Sequence, residues 1–453
     1  MTSYFSLDND CFLIEGSRDA ALYDVTGHCV YLLDEAAHRI LRLFEDKSPL
    51  DSEWLGPAGQ KFLEFLCREG LGFFDDSPAF EDKFVAPARL STLKGLAAPP
   101  SYRLADWSIT QSCDVGCSFC PLDTNGLSWQ ACTTCVRKAA VAENSELDKY
   151  TASLVDQIAE LGISRLHIRG GNPLLAWDRL NSIIHEAERH PKLIIIVTTP
   201  GTGCSTKQLL ALCDCQNVRL NLVLFATTTE TAKSTGRERV MAHQFTLLRE
   251  LSQRRVRFSV SILLTSATCS ERERMSTSMQ ENWHLKPWIS EIYTADEAMD
   301  GISFSHLSPG SRLLTCWRSL EDLYTRALFS TCLRGRLQIN PDGSINPCAA
   351  VDENCGQIVD GDLGAALKAE TLYELWTFSK NDVQPCNCCA LRYLCLDCAA
   401  AEIKCKLQVA AVRHFCPFDP DGPVRAYQVQ WAHAGFNKFA VAGPSVEHLC
   451  QTL

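Results

Sequence analysis

The sequence predicts an α/β protein built around a six-stranded partial barrel, with a small module before it and a cysteine-rich domain after it. Three observations carry this. From Trp107 to Tyr293, short apolar runs alternate with helix-like segments, the pattern of βαβ units and a parallel sheet. Beyond Ser311 the alternation stops, and cysteine, glycine and proline take over. Finally, the 24 cysteines are unevenly spread: the first hundred residues hold only Cys11, Cys29 and Cys67, whereas Cys113–Cys135 and Cys332–Cys416 are dense clusters. A chain of 453 residues exceeds what one hydrophobic core usually organises. The expected domains are 1–95, 96–310 and 311–453.

The first module reads as short strands at Cys11–Ile14, around Ala20–Asp24 and at Cys29–Leu33, broken by GSRD and TGH turns. Asp34 is placed to cap a helix that carries Ala37, Ile40, Leu41 and Phe44 on one face. A second helix is expected over Gln60–Glu69, where Phe62, Phe65 and Leu66 have helical spacing. Strands followed by helices describe a small winged-helix-like domain. The stretch Phe84–Arg103, with its prolines and mixed polarity, reads as a linker.

In the barrel, the strand candidates are Ala105–Thr110, Arg165–Ile168, Leu193–Thr198, Val218–Phe225, Arg257–Leu264 and Ile289–Tyr293. Helices are expected over Glu146–Leu161, Asp178–Arg189, Thr206–Cys213, Arg237–Arg254 and Ser270–Trp283. Six such repeats suit a partial (β/α)6 barrel better than a full eight-stranded one.

Composition narrows the function classes. Hydrophobic residues at 46% and charged residues at 21% suit a soluble globular protein. A formal net charge of −11 argues against binding to nucleic acid or to an anionic membrane. The start MTSYFSLDND lacks a basic region and carries acids where a signal peptide is apolar. The longest aliphatic run, Leu193 to Val197, is far too short to span a bilayer. A cytoplasmic location is the resulting expectation, and reducing compartments disfavour structural disulfides. Clustered thiols at short fixed spacings then point to metal ligation.

The sequence SITQSCDVGCSFCPLD sets Cys113, Cys117 and Cys120 in a C-x3-C-x2-C array directly after the first barrel strand. Three thiolates from one loop hold three irons of a cubane cluster and leave the fourth iron open. Loops at the C-terminal ends of strands are where such folds build sites. A zinc site would want a fourth protein ligand and paired C-x2-C knuckles, one of which Cys132 and Cys135 could supply.

This loop resembles the cluster-binding motif of the radical S-adenosylmethionine (SAM) superfamily, including the aromatic Phe119 before the third cysteine. The resemblance implies a 4Fe–4S cluster whose open iron is chelated by S-adenosyl-L-methionine. It also implies reductive cleavage of that cofactor to a 5′-deoxyadenosyl radical, with an electron donor such as flavodoxin or ferredoxin. Arg169-Gly170-Gly171-Asn172-Pro173, after the second strand, is similar to the family's "GGE" turn that meets the cofactor's amino group, with Asn172 in place of the usual Glu. Gly170, Gly171, Asn172 and Pro173 are therefore candidate cofactor contacts, since glycines admit a close backbone approach. The later turn TTPGTG is a second candidate to line the cofactor, but a plain loop is the preferred reading and none of its residues is named as a ligand. No catalytic acid or base is assigned; Asp114, Asp123 and His167 are expected in structural roles.

Farther on, CLRGRLQINPDGSINPC places Cys332 and Cys348 around a PDG turn, a good hairpin tip between QI and IN. Cys386, Cys389, Cys395, Cys398 and Cys416 follow. This resembles the seven-cysteine SPASM domain, which implies two auxiliary 4Fe–4S clusters and three in all. By that resemblance Cys332, Cys348 and Cys398 serve the first, and Cys386, Cys389, Cys395 and Cys416 the second. The family usually has three residues, not two, between the positions matched by Cys395 and Cys398, so Cys405 is a substitute candidate. Cys316, substrate or water would complete the first cluster, and Cys355 and Cys388 are bystanders. A zinc-ribbon-like domain with two tetrahedral sites is the alternative.

The first module resembles, by architecture, the peptide-recognition element of enzymes that modify ribosomally made peptides. There, a leader peptide adds as a strand to a sheet edge; here the edge is expected near Ala20–Val25. The alternative is a dimerisation or capping domain. The combined reading is a maturase that binds a precursor peptide and, by hydrogen abstraction, sets a crosslink or an epimerised centre. An anaerobic sulfatase-type maturase and a non-catalytic metal-stabilised peptide-binding protein are the competing readings.

Overall fold

The structure, a computed structural model, describes residues 4–17, 20–45, 48–50, 52–78, 100–117, 120, 127–128, 142–226, 232–233, 238–254, 256–293, 313–314, 319–351, 353–384 and 386–396.

The N-terminal module opens with β1 (Tyr4–Leu7), β2 (Cys11–Glu15), β3 (Ala20–Asp24) and β4 (Cys29–Leu33). Helices Glu35–Glu45 and Ser52–Arg68 follow, and β5 (Gly72–Asp75) closes the module by pairing antiparallel with β1. Asp34 caps the first helix, its carboxylate accepting from the Ala37 amide at 2.8 Å. The second helix starts earlier than its apolar spacing suggests and breaks at Gly56, whose φ of 59° precedes Pro57.

Strands β2, β3 and β4 form an antiparallel sheet in that order. The expectation of an edge strand near Ala20–Val25 is therefore corrected: β3 is the middle strand. Two consecutive hairpins leave no other place for it. Among the described residues, the outer flanks belong to β2 and β4. One face of the sheet buries Leu13, Leu22 and Leu33 against the two helices. The other face presents Phe12, Ile14, Tyr23 and Val30 to Leu323, Ala327, Leu391 and Tyr393 of the C-terminal region. Polar bonds fasten this contact: Tyr23 Oη donates to the Ala390 carbonyl at 2.8 Å and Arg392 to the Glu15 carbonyl at 2.8 Å.

The central sheet is built from β6 (Leu104–Thr110), β7 (Leu127–Ser128), β8 (Arg165–Gly170), β9 (Ile194–Thr199), β10 (Val218–Leu224), β11 (Phe258–Thr265) and β12 (Trp288–Tyr293). Strands β6, β8, β9, β10, β11 and β12 are parallel neighbours in that order, the expected six-stranded unit. Short β7 pairs antiparallel with β12. Strands such as IIIVTT are apolar nearly throughout because a parallel sheet is covered on both faces. Helices Thr151–Glu160, Trp177–Ala187, Thr206–Asp214, Glu238–Gln253 and Arg272–Trp283 lie between the strands. Their stripes, among them Leu154, Ile158, Ile183, Leu209, Leu248 and Met279, enter the same core as Trp107, Ile168 and Ile195. Residues 146–150, expected as helix, instead belong to a 3₁₀ helix, Ser145–Tyr150, capped by Asn144.

Beyond the barrel come β13 (Leu313–Leu314), helix Leu320–Leu328, β14 (Arg336–Ile339), β15 (Ser344–Asn346), β16 (Gly356–Gln357), helices Leu363–Ala366 and Ala369–Thr377, and β17 (Cys395–Leu396). The PDG turn is the tip of the β14–β15 hairpin, with Gly343 at φ 86° and Gln338 opposite Asn346. The hairpin is not separate from the barrel. Strand β14 runs parallel beside β6, so β14, β15 and β16 extend the central sheet to ten strands.

A buried charge cluster marks that junction. Asp106 in β6 and Arg169 in β8 are both 0% exposed, and they pair directly. Arg336 in β14 adds Nε to the other carboxylate oxygen at 2.6 Å. Burial opposes ionisation of Asp106, but the Arg169 and Arg336 guanidiniums outweigh it and hold its carboxyl well below the usual carboxylate range.

Candidate functional site

All six parallel strands end at one edge of the sheet, where such folds gather their reactive groups. The loop after β6 carries Cys113, Cys117 and Cys120 to this edge. Its backbone turns at Gly116, φ 61°, and the Cys120 amide donates to the Cys117 carbonyl at 3.2 Å. Val115, Val223, Phe225 and Leu263 form an apolar patch with Cys113 and Cys117 packed against it.

The three cysteines line a cleft together with Gly170, Gly171, Pro200, Phe225 and Leu263. The second predicted element thus reaches the same cleft as the first. Gly170, at φ 133°, follows an irregularity in the β6–β8 register. A Cβ there would fall 2.1 Å from the Thr110 carbonyl oxygen, and one on Gly171 would fall 2.2 Å from that of Ser112. Only glycine lets these two strand ends touch, and the contact is bonded: the Gly171 amide donates to Thr110 O at 2.9 Å and the Asn172 amide to Ser112 O at 2.7 Å.

Asn172, 0% exposed, uses its side chain inside the protein. Its Nδ2 donates to Asp114 Oδ1 at 2.9 Å and to the Thr202 carbonyl at 2.8 Å. Its Oδ1 accepts from Thr199 Oγ1 at 2.8 Å and from the Leu174 amide at 3.2 Å, the latter capping the turn Pro173–Ala176. Thr202 Oγ1 also donates to Asp114 Oδ1 at 2.8 Å. One amide therefore ties the cysteine loop, the glycine turn and the loop after β9. Pro173 is buried as the first residue of its turn.

The sequence did not single out Glu143, whose carboxylate receives Thr110 Oγ1 at 2.8 Å and the Gln111 amide at 2.6 Å, fixing the root of the cysteine loop. Nor did it assign Thr202 or Pro200, although TTPGTG held the signal: two glycines and a proline directly after a parallel strand. His167 lies in the charge cluster, 3.2 Å from Arg169 and 3.4 Å from Asp106, and burial lowers its pKa. Asp114 acts as the acceptor just described.

Of the C-terminal cysteines, Cys332 and Cys348 border the hairpin and pack against the main core. Cys386 begins a 3₁₀ turn that includes Cys388, and the Cys389 amide donates to the Cys386 carbonyl at 3.0 Å. Buried Lys380 donates Nζ to Cys386 Sγ at 3.5 Å, a contact that the sequence gave no sign of. Cys395 sits in β17, opposite Leu314. Cys355 is fully buried, and burial pushes its thiol up to about 11; Cys388 is exposed. Phe119, Asp123, Cys132, Cys135, Cys316, Cys398, Cys405 and Cys416 lie outside the described residues. Among the described residues no helix is long and apolar enough to cross a membrane.

The donor set fits an iron–sulfur cluster and its cofactor. Three thiols share one cleft, and beside them the glycine turn admits close approach to the backbone. Comparisons with known proteins bear on the family and the fold. Over 100 residues the chain is 31% identical to GTP 3′,8-cyclase of Paenarthrobacter nicotinovorans, covering 22% of this chain and 25% of that protein. It thus spans a quarter of the length of that curated relative. The fold is similar to that of Streptococcus suis SuiB in its crystal structure bound to the precursor peptide SuiA, with TM-score 0.50 and 16% identity, covering 91% of this chain and 100% of that one. Residues 107–275 match the model of the Radical SAM superfamily, an interval that includes the cysteine loop, the glycine turn and strands β8 to β11. The central part of this chain is therefore a radical SAM domain.

Proposed function

We propose that the protein is a radical SAM maturase acting on a ribosomally made precursor peptide. The observation that carries the reading is the meeting of Cys113, Cys117 and Cys120 with Gly170 and Gly171 in one cleft. When bound there, a 4Fe–4S cluster and S-adenosylmethionine supply a 5′-deoxyadenosyl radical for hydrogen abstraction.

The chain's own residues do the rest by placement. Cys113, Cys117 and Cys120 would hold the cluster. Gly170 and Gly171 offer backbone groups to the cofactor, and Asn172 fixes the turn through Asp114 and Thr202 rather than by reaching the cofactor itself. Val115, Phe225 and Leu263 give the cleft an apolar wall that limits water beside a reactive carbon centre. Cys332, Cys348 and Cys398, and Cys386, Cys389, Cys395 and Cys416, are proposed to hold two auxiliary clusters. An electron donor such as flavodoxin or ferredoxin would supply the low-potential electron.

A peptide substrate is supported by the N-terminal module. Among the described residues, strand β4 pairs with β3 alone, which leaves its outer flank to an added strand. The modification would be a crosslink or an epimerisation.

The test is metal content after anaerobic purification, paired with an assay for 5′-deoxyadenosine under a low-potential reductant. About twelve irons per chain are expected for three cubane clusters, with cofactor cleavage abolished in Cys117→Ala. Zinc in place of iron, with no cleavage, would overturn the reading.

A further inference from the structure

The three-stranded N-terminal sheet carries two thiols that the proposed iron–sulfur chemistry does not use. Its register sets Cys11 opposite Asp24, and Asp24 opposite Cys29. Side chains directly opposite across antiparallel strands share a face, with Cβ atoms about 4.5–5.5 Å apart. Cys11, Asp24 and Cys29 therefore stand in one row across β2, β3 and β4. The next row on the same face is Leu13, Leu22 and Tyr31.

Asp10 joins the row from the start of β2. One ligand atom from each of Asp10, Cys11 and Asp24 lies within 4.8 Å of the other two. Cys11 is 2% exposed, and its Sγ lies 3.7 Å from Asp10 Oδ1. The Asp24 carboxylate is positioned by the turn that follows it: Oδ1 accepts from the Gly27 amide at 2.7 Å. Gly27 is also what makes room, since a Cβ there would fall 1.9 Å from Asp24 Oδ2.

The electrostatics have one sign. Burial raises Asp24, and Asp10 and Asp8 raise it further, against the Gly27 amide and His28. Burial, Asp24, Asp10 and Asp8 all push the Cys11 thiol up. Carboxylates converging on a buried thiol disfavour one another's ionised forms. A divalent cation among them reverses that, because its charge favours every anion in reach.

A disulfide is not the chemistry available to this pair. Cys11 and Cys29 are two strands apart, about 9–10 Å at ordinary strand spacing, beyond the reach of a disulfide.

We propose that Cys11, Asp10 and Asp24 bind a zinc ion, with water completing its coordination. A thiolate beside carboxylates suits zinc and not magnesium or calcium. The ion would pin β2 to β3 at one end of the sheet. The opposite face of that sheet packs on the C-terminal region.

The experiment compares zinc in the full-length, iron- and sulfide-loaded protein with that in Cys11→Ala and Asp24→Asn. Each variant is expected to lose about one zinc per chain while keeping its iron; equal zinc in all three overturns the proposal. Gly27→Ala keeps every ligand residue in the chain and displaces only the Asp24 carboxylate. It is expected to retain zinc against a competing chelator about tenfold or more less well, the scale of losing a ligand's orientation; unchanged retention overturns the proposal. Cobalt offered to the wild-type chain gives a readout independent of folding in the variants. A thiolate-to-cobalt charge-transfer band that zinc abolishes stoichiometrically is expected, and a spectrum that zinc leaves unchanged overturns the site.

Discussion

Asn172 donates its side-chain amide to Asp114 at 2.9 Å, joining the turn that resembles the family's cofactor-binding motif to the loop that holds the three cysteines. Where that motif usually carries Glu, this chain carries a residue whose amide points inward. An amide is required here because Asp114 and the Thr202 carbonyl both accept. A carboxylate would meet two acceptors.

Asn172→Asp therefore replaces two donated bonds by repulsion in a buried place. The loss is expected at about 2 kcal/mol or more, read as cofactor affinity weakened at least tenfold with iron content retained. Adding Asp114→Asn restores one donor–acceptor pair but not the contact with Thr202, so partial recovery is expected in a double-mutant cycle.

Gly171→Ala forces a Cβ to within 2.2 Å of Ser112 O, and Gly170→Ala adds an unfavourable φ of 133° to a 2.1 Å clash with Thr110 O. Backbone strain of this kind costs about 1–3 kcal/mol. Deoxyadenosine formation should fall in both variants, more in Gly170→Ala, while far-UV circular dichroism stays that of the wild type.

Asp106 pairs with both Arg169 and Arg336 where β6, β8 and β14 meet. Asp106→Asn leaves two guanidiniums buried without their anion, which is expected to cost about 3–5 kcal/mol, visible as a lower denaturant midpoint. The pH dependence has a definite sign. The folded pKa of Asp106 lies below its unfolded value of about 3.9, so its contribution is fully present above that pH and lost as pH falls. The variant should show a shallower acid-side decline than the wild type, measured by denaturation from pH 6 downward.

Tyr23→Phe removes the bond from the N-terminal sheet to the Ala390 carbonyl. A buried hydrogen bond of this type contributes about 1 kcal/mol, about a fivefold change in an equilibrium. Amide exchange across β2, β3 and β4 should speed up by that factor, with deoxyadenosine formation in the absence of peptide unchanged.

Much of this was legible in the sequence because local chemistry decides it. Apolar runs of strand length alternating with amphipathic segments fixed six parallel strands in sequential order. The C-x3-C-x2-C spacing and the Gly-Gly turn name two walls of one cleft that the fold brings together. The PDG turn gave the β14–β15 pairing, and Asp34 its helix cap. One reading failed against information also present in the sequence: the GSRD and TGH turns are successive hairpins, so Ala20–Asp24 had to lie between its neighbours.

Tertiary structure decided what no local pattern encodes. That β14 lies beside β6 depends on a carboxylate in one and guanidiniums in others, separated by 230 residues between Asp106 and Arg336. That Asn172 serves the cysteine loop depends on two loops approaching within hydrogen-bond distance, which only glycine's missing Cβ permits. That Cys11, Asp24 and Cys29 share a row follows from strand register. Motif spacing fixes which groups a short segment offers; the long-range pairing of strands fixes which of those groups meet.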